Sequence, residues 1–518
     1  MESSRKTPWK IYKACKTGFA KMQIPPSLTL QDGTETTSVK ETADTLLHKF
    51  FTDDPTVRNQ GSKNTKREET KDLGPPDSLP EPDFTEHEVD EAVRNLHGSK
   101  CPGPDGIDGN IVKKLHKYLP RFWLDLFNRC YALGCFPTVW KVARVISIPK
   151  ADKSKHRSVE GFRGISLLSI PGKCLEKLVI GRLNHFLVTN GHIASLQFGF
   201  PAGRTTADTI ETVIKFVENS RKRGQKCCLL ALDIAGAFDN AWHPGILEQL
   251  RKIKCPPNMY NMVKDFLCKC TAHVMVGNTI SSKRVTKGCP QGSVSGPTLW
   301  NIVIGDLITL LSNVTNVKTV VFADDIMIIL QGPSLPAILK ELQITLKAVD
   351  NWCKENGLVI AKDKTGLMLM ITRNKEAIKS HPIVTERKIK IVTQMKYLGV
   401  TLDSKLDWYP HTVYLENKVL SILRNLVHCS TATWGLSFHN LLIIYNCAIL
   451  PVITYTSEAW CTLISKKAKR QATTNTKGIL NFYHKGIQNS IKRGTVSNCR
   501  DSSHRASHAT TQRQKGYI

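Results

Sequence analysis

The chain has no apolar run approaching the roughly 18 residues needed to cross a bilayer. It has no apolar leader either: it opens MESSRKTPWK, polar and basic. We therefore expect a soluble, intracellular protein, in nucleus or cytoplasm, not secreted and with no membrane partner. It has no C-x-x-C pair, and Cys268 and Cys270 have the wrong spacing for a zinc site, so no structural zinc is expected. The sixteen cysteines are scattered through apolar runs, as at Cys227, Cys228 and Cys447, and read as reduced core thiols. Acid is short: 44 Asp and Glu stand against 72 Lys and Arg, a net charge of +28. That excess implies a polyanionic partner, nucleic acid first and an anionic membrane surface second. Between Lys466 and Ile518 the shortage is nearly complete, with Asp501 facing twelve Lys and Arg. That stretch also lacks apolar periodicity and reads as disordered. Apolar residues are scarce again in 62–83, SKNTKREETKDLGPPDSLPEPD, a linker signature.

What is present reads as a folded chain. Hydrophobic residues make up 41% and charged residues 22%, a globular balance, and 518 residues suffice for several domains. The organising stretch is Val317 to Leu330, VKTVVFADDIMIIL. β-Branched and aromatic residues lead into and out of Asp324 and Asp325, which predicts two strands meeting at a tight turn. Adjacent carboxylates inside an apolar run repel each other and are costly to bury. A solvent-exposed turn is the plain explanation; a bound divalent cation is the chemical one. A second run, Cys227 to Leu232, ends on Asp233. Three carboxylates around one point suit a two-metal phosphoryl-transfer site, with ions about 3.5–4 Å apart. Between these acids lies GCPQGSVSGP, Gly288 to Pro297, a loop suited to close backbone approach to a flat substrate.

AFDNAWH after Asp233, then GCPQGSVSGPTLWN and FADD, in this order and spacing, resemble the polymerase motifs of reverse transcriptases. The nearest likeness is to the non-LTR (LINE-type, jockey-like) retrotransposon group, from about Pro8 to about Lys467. The resemblance implies an α+β, right-hand polymerase (fingers, palm, thumb) with an antiparallel palm sheet backed by helices. It divides the chain into a partly disordered linker region at 1–83, fingers at 84–226 and a palm at 227–372. A primer-grip hairpin and helical thumb follow at 373–465, then the basic tail at 466–518, which departs from the family pattern. No endonuclease precedes the linker, so we expect a fragment or a truncated element. The implied activity is RNA-directed DNA synthesis, with an RNA template, a DNA primer and dNTPs as partners. The alternative is an inactive, retrotransposon-derived RNA-binding protein. A cellular or intron-borne enzyme would need an appended RNA-binding or maturase domain, and none is visible.

The likeness also implies roles residue by residue. Asp233, Asp324 and Asp325 would hold two Mg²⁺ ions, or Mn²⁺ in their place. Lys364 matches a lysine that protonates leaving pyrophosphate, although a solvated surface lysine reads the same way. Ala361 stands where the family has Asn, which predicts a less well held loop. Phe238 would lie under the sugar and exclude a 2′-hydroxyl. Arg163, and Lys150 before it, would lie along the triphosphate; planar, always-charged Arg suits that place. Gly164 replaces the usual Pro beside Arg163, which predicts a looser turn. Gln291 and Gly292 would pack against nucleotide and template. In QFGFPAGRTT, Phe198 and Phe200 either stack on bases or join the core, and Arg204 would meet phosphate. Lys396 and Tyr397 open the primer-grip hairpin.

Local patterns place several helices. Thr85 and Glu88 predict a capping box, with Phe84 and Val89 as a staple. Leu175, Leu178, Val179, Leu183 and Phe186 mark one stripe of a helix over 171–187. Pro336 suits the first turn of a helix over 336–352. Helices are expected over 411–425, 438–450 and 455–463.

Overall fold

The computed structural model describes residues 24–30, 32–54, 74–150, 156–361, 363–370, 383–384, 387–427, 443 and 445–464. The basic tail lies outside them. Strands, in chain order, are β1 Val142–Pro149, β2 Phe162–Leu167, β3 Lys226–Asp233, β4 Thr271–Val276, β5 Thr279–Arg284, β6 Val317–Phe322, β7 Asp325–Gly332 and β8 Gly366–Leu369. They continue with β9 Ile383–Val384, β10 Arg387–Lys388, β11 Lys390–Val392, β12 Gln394–Tyr397 and β13 Val400–Asp403. The architecture is mixed α/β. No helix among the described residues is long and apolar enough to cross a membrane.

A five-stranded sheet, ordered β11-β8-β3-β7-β6, forms the centre. Its middle strand is the Cys227 to Leu232 run, apolar throughout because both of its faces are covered. Successive side chains on a strand point to opposite faces. Cys228, Leu230, Ile326 and Ile328 join one core with the helices Gly296–Ser312 and Leu335–Glu355. Cys227, Leu229, Met327 and Ile329 join another with the helix Thr206–Lys222, the β12–β13 hairpin, Trp408 and Trp460. β3 runs antiparallel to β7 and β8, and β6 to β7, whereas β11 runs parallel to β8. The sheet is therefore mixed, and its parallel edge comes from beyond the expected limit at residue 372.

A second sheet, ordered β2-β1-β4-β5, stands beside it. β4 and β5 lie inside the expected 227–372 segment, yet they pair with β1 and with each other. One face of this sheet is covered by the helix Val39–Phe50, whose Leu46, Leu47 and Phe50 pack on Val145, Phe162, Ala272 and Val274. Ser38 caps that helix by accepting from the Glu41 N–H. The expectation that 1–83 is a linker is thus corrected for 24–30 and 32–54, which complete a core. Residues 41–51, ETADTLLHKFF, carry helical periodicity.

The capping box at Thr85 and Glu88 forms. The helix over 171–187 spans Ile170–Thr189, and that over 336–352 spans Leu335–Glu355. Of the last three expected helices, that over 411–425 spans Tyr409–Val427, that over 455–463 is the short Ser457–Trp460, and the described end of 438–450 is the π-helix Tyr445–Ile449. Most of 438–444 lies outside the described residues.

Gly164 overturns its expectation. It sits mid-strand in β2, paired with Ser147, not in a turn. A Cβ there would lie 2.7 Å from the Phe50 ring. The missing side chain makes room for the N-terminal helix. We expect Gly164→Ala to lower stability by about 1–3 kcal/mol, because a packed ring must shift. Gly181, in the helix Ile170–Thr189, has open space around its Cβ position. Gly181→Ala should therefore stabilise by up to about 1 kcal/mol. Thermal melts of both variants check the contrast; equal shifts would show that Phe50 does not rest on β2.

Candidate active site

The carboxylates are placed by strand register. β3 and β7 pair so that Asp233 lies opposite Asp325, and Phe322 of β6 pairs with Asp325 on the other side. Ala323 and Asp324 form the two-residue turn between β6 and β7. Ala323 is left-handed at φ 56°, the sign such hairpin turns favour. The turn is held from below: Trp300 Nε1 donates to the Ala323 carbonyl at 2.9 Å. At Gly199 a Cβ would come within 2.0 Å of the Ala323 nitrogen, so only glycine fits there.

This register crowds like charges. Burial and the neighbouring Asp324 and Asp233 push the Asp325 carboxyl up to about 6. The opposing charge is Lys364, whose Nζ lies 3.0 Å from Asp233 Oδ2. The lysine is mostly exposed, so the pair is weak. Among the described residues no three His, Cys, Asp or Glu are gathered into a ready-made metal cage. The Lys364 loop is tied by main chain: the Ala361 N–H donates to the Asp233 carbonyl at 2.7 Å, and Lys364 and Thr365 N–H donate to the Ala361 carbonyl. Ala361 thus ties the loop through its backbone.

Past Asp233 the chain turns at left-handed Gly236 (φ 56°) into the short helix Ala237–Asn240. Phe238 is half-buried, its ring 5.8 Å from Trp300 and 6.1 Å from the edge-on ring of Phe200. The Gly288 loop lies on this helix, with Gly288 N–H to the Ala241 carbonyl at 2.7 Å and Cys289 N–H to the Phe238 carbonyl at 2.8 Å. Gln291 Nε2 donates to both Asp239 oxygens, at 2.9 and 3.0 Å. Burial raises the Asp239 carboxyl, and Gln291 and the Arg163 and Lys150 charges oppose the rise. Arg163, Lys150, Asp239 and Gln291 therefore share one electrostatic neighbourhood. Gly292, at φ 112°, passes so close to β2 that a Cβ would lie 2.7 Å from the Ser166 carbonyl.

Two acids escaped the sequence reading. One is Asp239, although it stands within AFDNAWH. The other is Glu176, 4% exposed on the helix Ile170–Thr189. Its carboxylate accepts from Val294 N–H at 2.7 Å, Ser295 N–H at 3.1 Å and Ser295 Oγ at 3.2 Å. It fastens the 288–297 loop where the helix Gly296–Ser312 begins, the end that favours negative charge. Burial raises its carboxyl and these bonds oppose the rise. The available signal was an acid among the inward-facing residues of an apolar stripe.

Three residues expected at the nucleic acid have partners within the protein. Phe198 is 8% exposed and packs in the core, leaving Phe200, 52% exposed at φ 73°, as the accessible ring. Arg204 Nη1 donates to the carbonyls of Ala194, Ser195 and Gln197 and so ties its own loop. Tyr397 is 4% exposed. In β12 side chains alternate, so Tyr397 points into the core and Lys396 outward, its Nζ 5.6 Å from the Tyr414 ring.

Residues 148–402 match the reverse transcriptase (RNA-dependent DNA polymerase) family. The chain is 29% identical over 375 residues to the putative 115 kDa protein in type-1 retrotransposable element R1DM of Drosophila melanogaster, covering 72% of this chain and 36% of that protein. It is 28% identical over 461 residues to the retrovirus-related Pol polyprotein from type-1 retrotransposable element R1 of Bradysia coprophila, covering 88% and 44%. It is 30% identical over 385 residues to the RNA-directed DNA polymerase from mobile element jockey of Drosophila melanogaster, covering 73% and 41%. The chain thus spans about two fifths of the length of these relatives. The strand-borne acids, the glycine loop laid on β2 and these matches agree: the chain carries, over residues 148–402, a domain of the reverse transcriptase family and is a relative of the non-LTR retrotransposon proteins.

Proposed function

We propose that this chain is the RNA-directed DNA polymerase of a non-LTR retrotransposon, extending a DNA primer on an RNA template with dNTPs. The observation that carries the reading is the register that sets Asp233 opposite Asp325, one residue past Asp324. Among the described residues, three repelling carboxylates face one exposed lysine, Lys364, which fits a divalent cation. Mg²⁺ suits a few carboxylates, since that ion keeps waters and takes substrate phosphates as ligands. Asp233, Asp324 and Asp325 would hold two such ions, or Mn²⁺, which when bound lower the pKa of the primer hydroxyl and neutralise charge on the leaving side.

The remaining roles belong to the chain's own side chains. Arg163 and Lys150 bind the triphosphate, and Gln291, held by Asp239, orients the nucleotide beside Gly292. Phe238, backed by Trp300, supports the sugar and leaves no space for a 2′-hydroxyl. Lys364, poised on Asp233, supplies a proton to pyrophosphate. Lys396 and Phe200 face the nucleic acid. In right-hand terms, the central sheet is the palm, the β2-β1-β4-β5 sheet belongs to the fingers, and the β12–β13 hairpin with the helix Tyr409–Val427 begins grip and thumb.

Primer extension on poly(rA)/oligo(dT) with Mg²⁺ tests the reading. Template-dependent dTMP incorporation is the expected result. RNA binding without incorporation would replace it with an RNA-binding protein that has lost polymerase activity.

A further inference from the structure

The segment Phe50 to Asp54 lies outside the 148–402 match, yet it touches three parts of the site at once. Thr52 Oγ1 donates to Asn240 Oδ1 at 2.9 Å, and Asn240 Nδ2 donates to the Ala235 carbonyl at 2.9 Å. Asn240 therefore closes the turn that carries Phe238 from inside, and Thr52 holds Asn240 from outside. Two residues on, Trp242 Nε1 donates to buried Asp54 Oδ2 at 2.9 Å. The Asp54 N–H donates to Thr286 Oγ1 at 3.0 Å, just before the Gly288 loop. Asp53 pairs with Lys283 of β5 at 2.9 Å. Phe50 rests against Gly164, next to Arg163.

These contacts link the Phe238 turn to the Arg163 strand through a segment that belongs to neither. In the proposed reaction those two elements grip opposite ends of one nucleotide: Phe238 its sugar, Arg163 its triphosphate. A shift of one against the other misplaces the reacting phosphate, and errors near 1 Å are costly in rate. We propose that Phe50 to Asp54 acts as a strap that sets the depth of the deoxynucleotide pocket, with Thr52 and Asn240 as positioning residues for sugar selection. This rests on the polymerase reading above.

The test separates the two ideas. Parent enzyme is first assayed on poly(rA)/oligo(dT); failure there overturns the polymerase reading itself. With active parent, Thr52→Val removes the hydroxyl at nearly constant shape. We expect KM for dTTP to rise about three- to tenfold, the order of one net hydrogen bond, with RNA affinity and melting temperature near parental values. The ratio of kcat/KM for rUTP over dTTP should rise with it, because a loosened ring excludes the 2′-hydroxyl less well. Thr52→Ser restores the hydroxyl and should restore both values. Asn240→Ala should reproduce the effect, and the double variant should add little to it, since both break one chain of bonds. An active Thr52→Val enzyme with parental KM and parental sugar ratio would overturn the proposal. So would a Thr52→Ser enzyme as impaired as Thr52→Val.

Discussion

Asp324→Asn is expected to reduce primer extension by about a thousandfold or more while RNA affinity stays near the parental value. The substitution keeps the shape of the Ala323 and Asp324 turn and removes one negative charge. If the three acids hold metal against the substrate phosphates, that charge contributes most where charge develops in the reaction, and about 3 × 1.4 kcal/mol is a thousandfold. RNA affinity is expected to rest on a different part of the molecule. The chain carries a net +28, and affinity for a polyanion follows counterion release by its basic surface. Stability supplies a third readout. Asp324 and Asp233 both push the Asp325 carboxyl upward, so their mutual repulsion opposes folding. Neutralising Asp324 should leave the melting temperature unchanged or slightly raised. Loss of extension and of RNA binding together, with a lowered melt, would mean that the turn needs its aspartate to fold. Retained extension would remove Asp324 from the site.

Phe238→Ala is expected to raise the ratio of ribonucleotide to deoxynucleotide kcat/KM about a hundredfold, near 3 kcal/mol at about 1.4 kcal/mol per tenfold. The ring is not free to yield. Trp300 lies 5.8 Å from it, Phe200 meets it edge-on at 6.1 Å, and the Phe238 carbonyl is fixed by the Cys289 N–H. If the nucleotide sugar lies on this ring, a 2′-hydroxyl meets a steric penalty that disappears with the ring. Phe238→Val should show the same direction with a smaller change. Some stability will be lost, because Phe238 also packs against the core. An active variant whose sugar ratio does not move would show that Phe238 is a packing residue and that the nucleotide lies elsewhere.

Several expectations changed for one kind of reason. Phe198 and Phe200 are two residues apart, both aromatic and both in a glycine-rich loop, yet one is buried and the other exposed. Lys396 and Tyr397 are neighbours whose directions differ only because they alternate on a strand. Composition could not choose between them; the covering of one face by the helix Thr206–Lys222 and by Trp408 and Trp460 did. Arg204 has the chemistry for phosphate, and its Nη1 is held by carbonyls of its own loop. Glu176 meets Val294 and Ser295 across more than a hundred residues of chain.

The sequence by itself determined what depends on near neighbours and on charge. The capping box at Thr85 and Glu88, the helix with Pro336 in its first turn and the strands around Asp233, Asp324 and Asp325 were legible, because period, caps and turns act within a few residues. The basic excess and the acid motifs carried the family likeness. Only the tertiary structure decided which of two equivalent side chains faces inward, that β4 and β5 leave the central sheet, and that Phe50 to Asp54 reach back to Gly164, Asn240 and Trp242. The physical reason is distance along the chain. Contacts such as Thr52 to Asn240 join residues 188 apart, and no local preference encodes them. They arise because the helix Val39–Phe50 must bury its apolar face, and the open side of the second sheet is where it can.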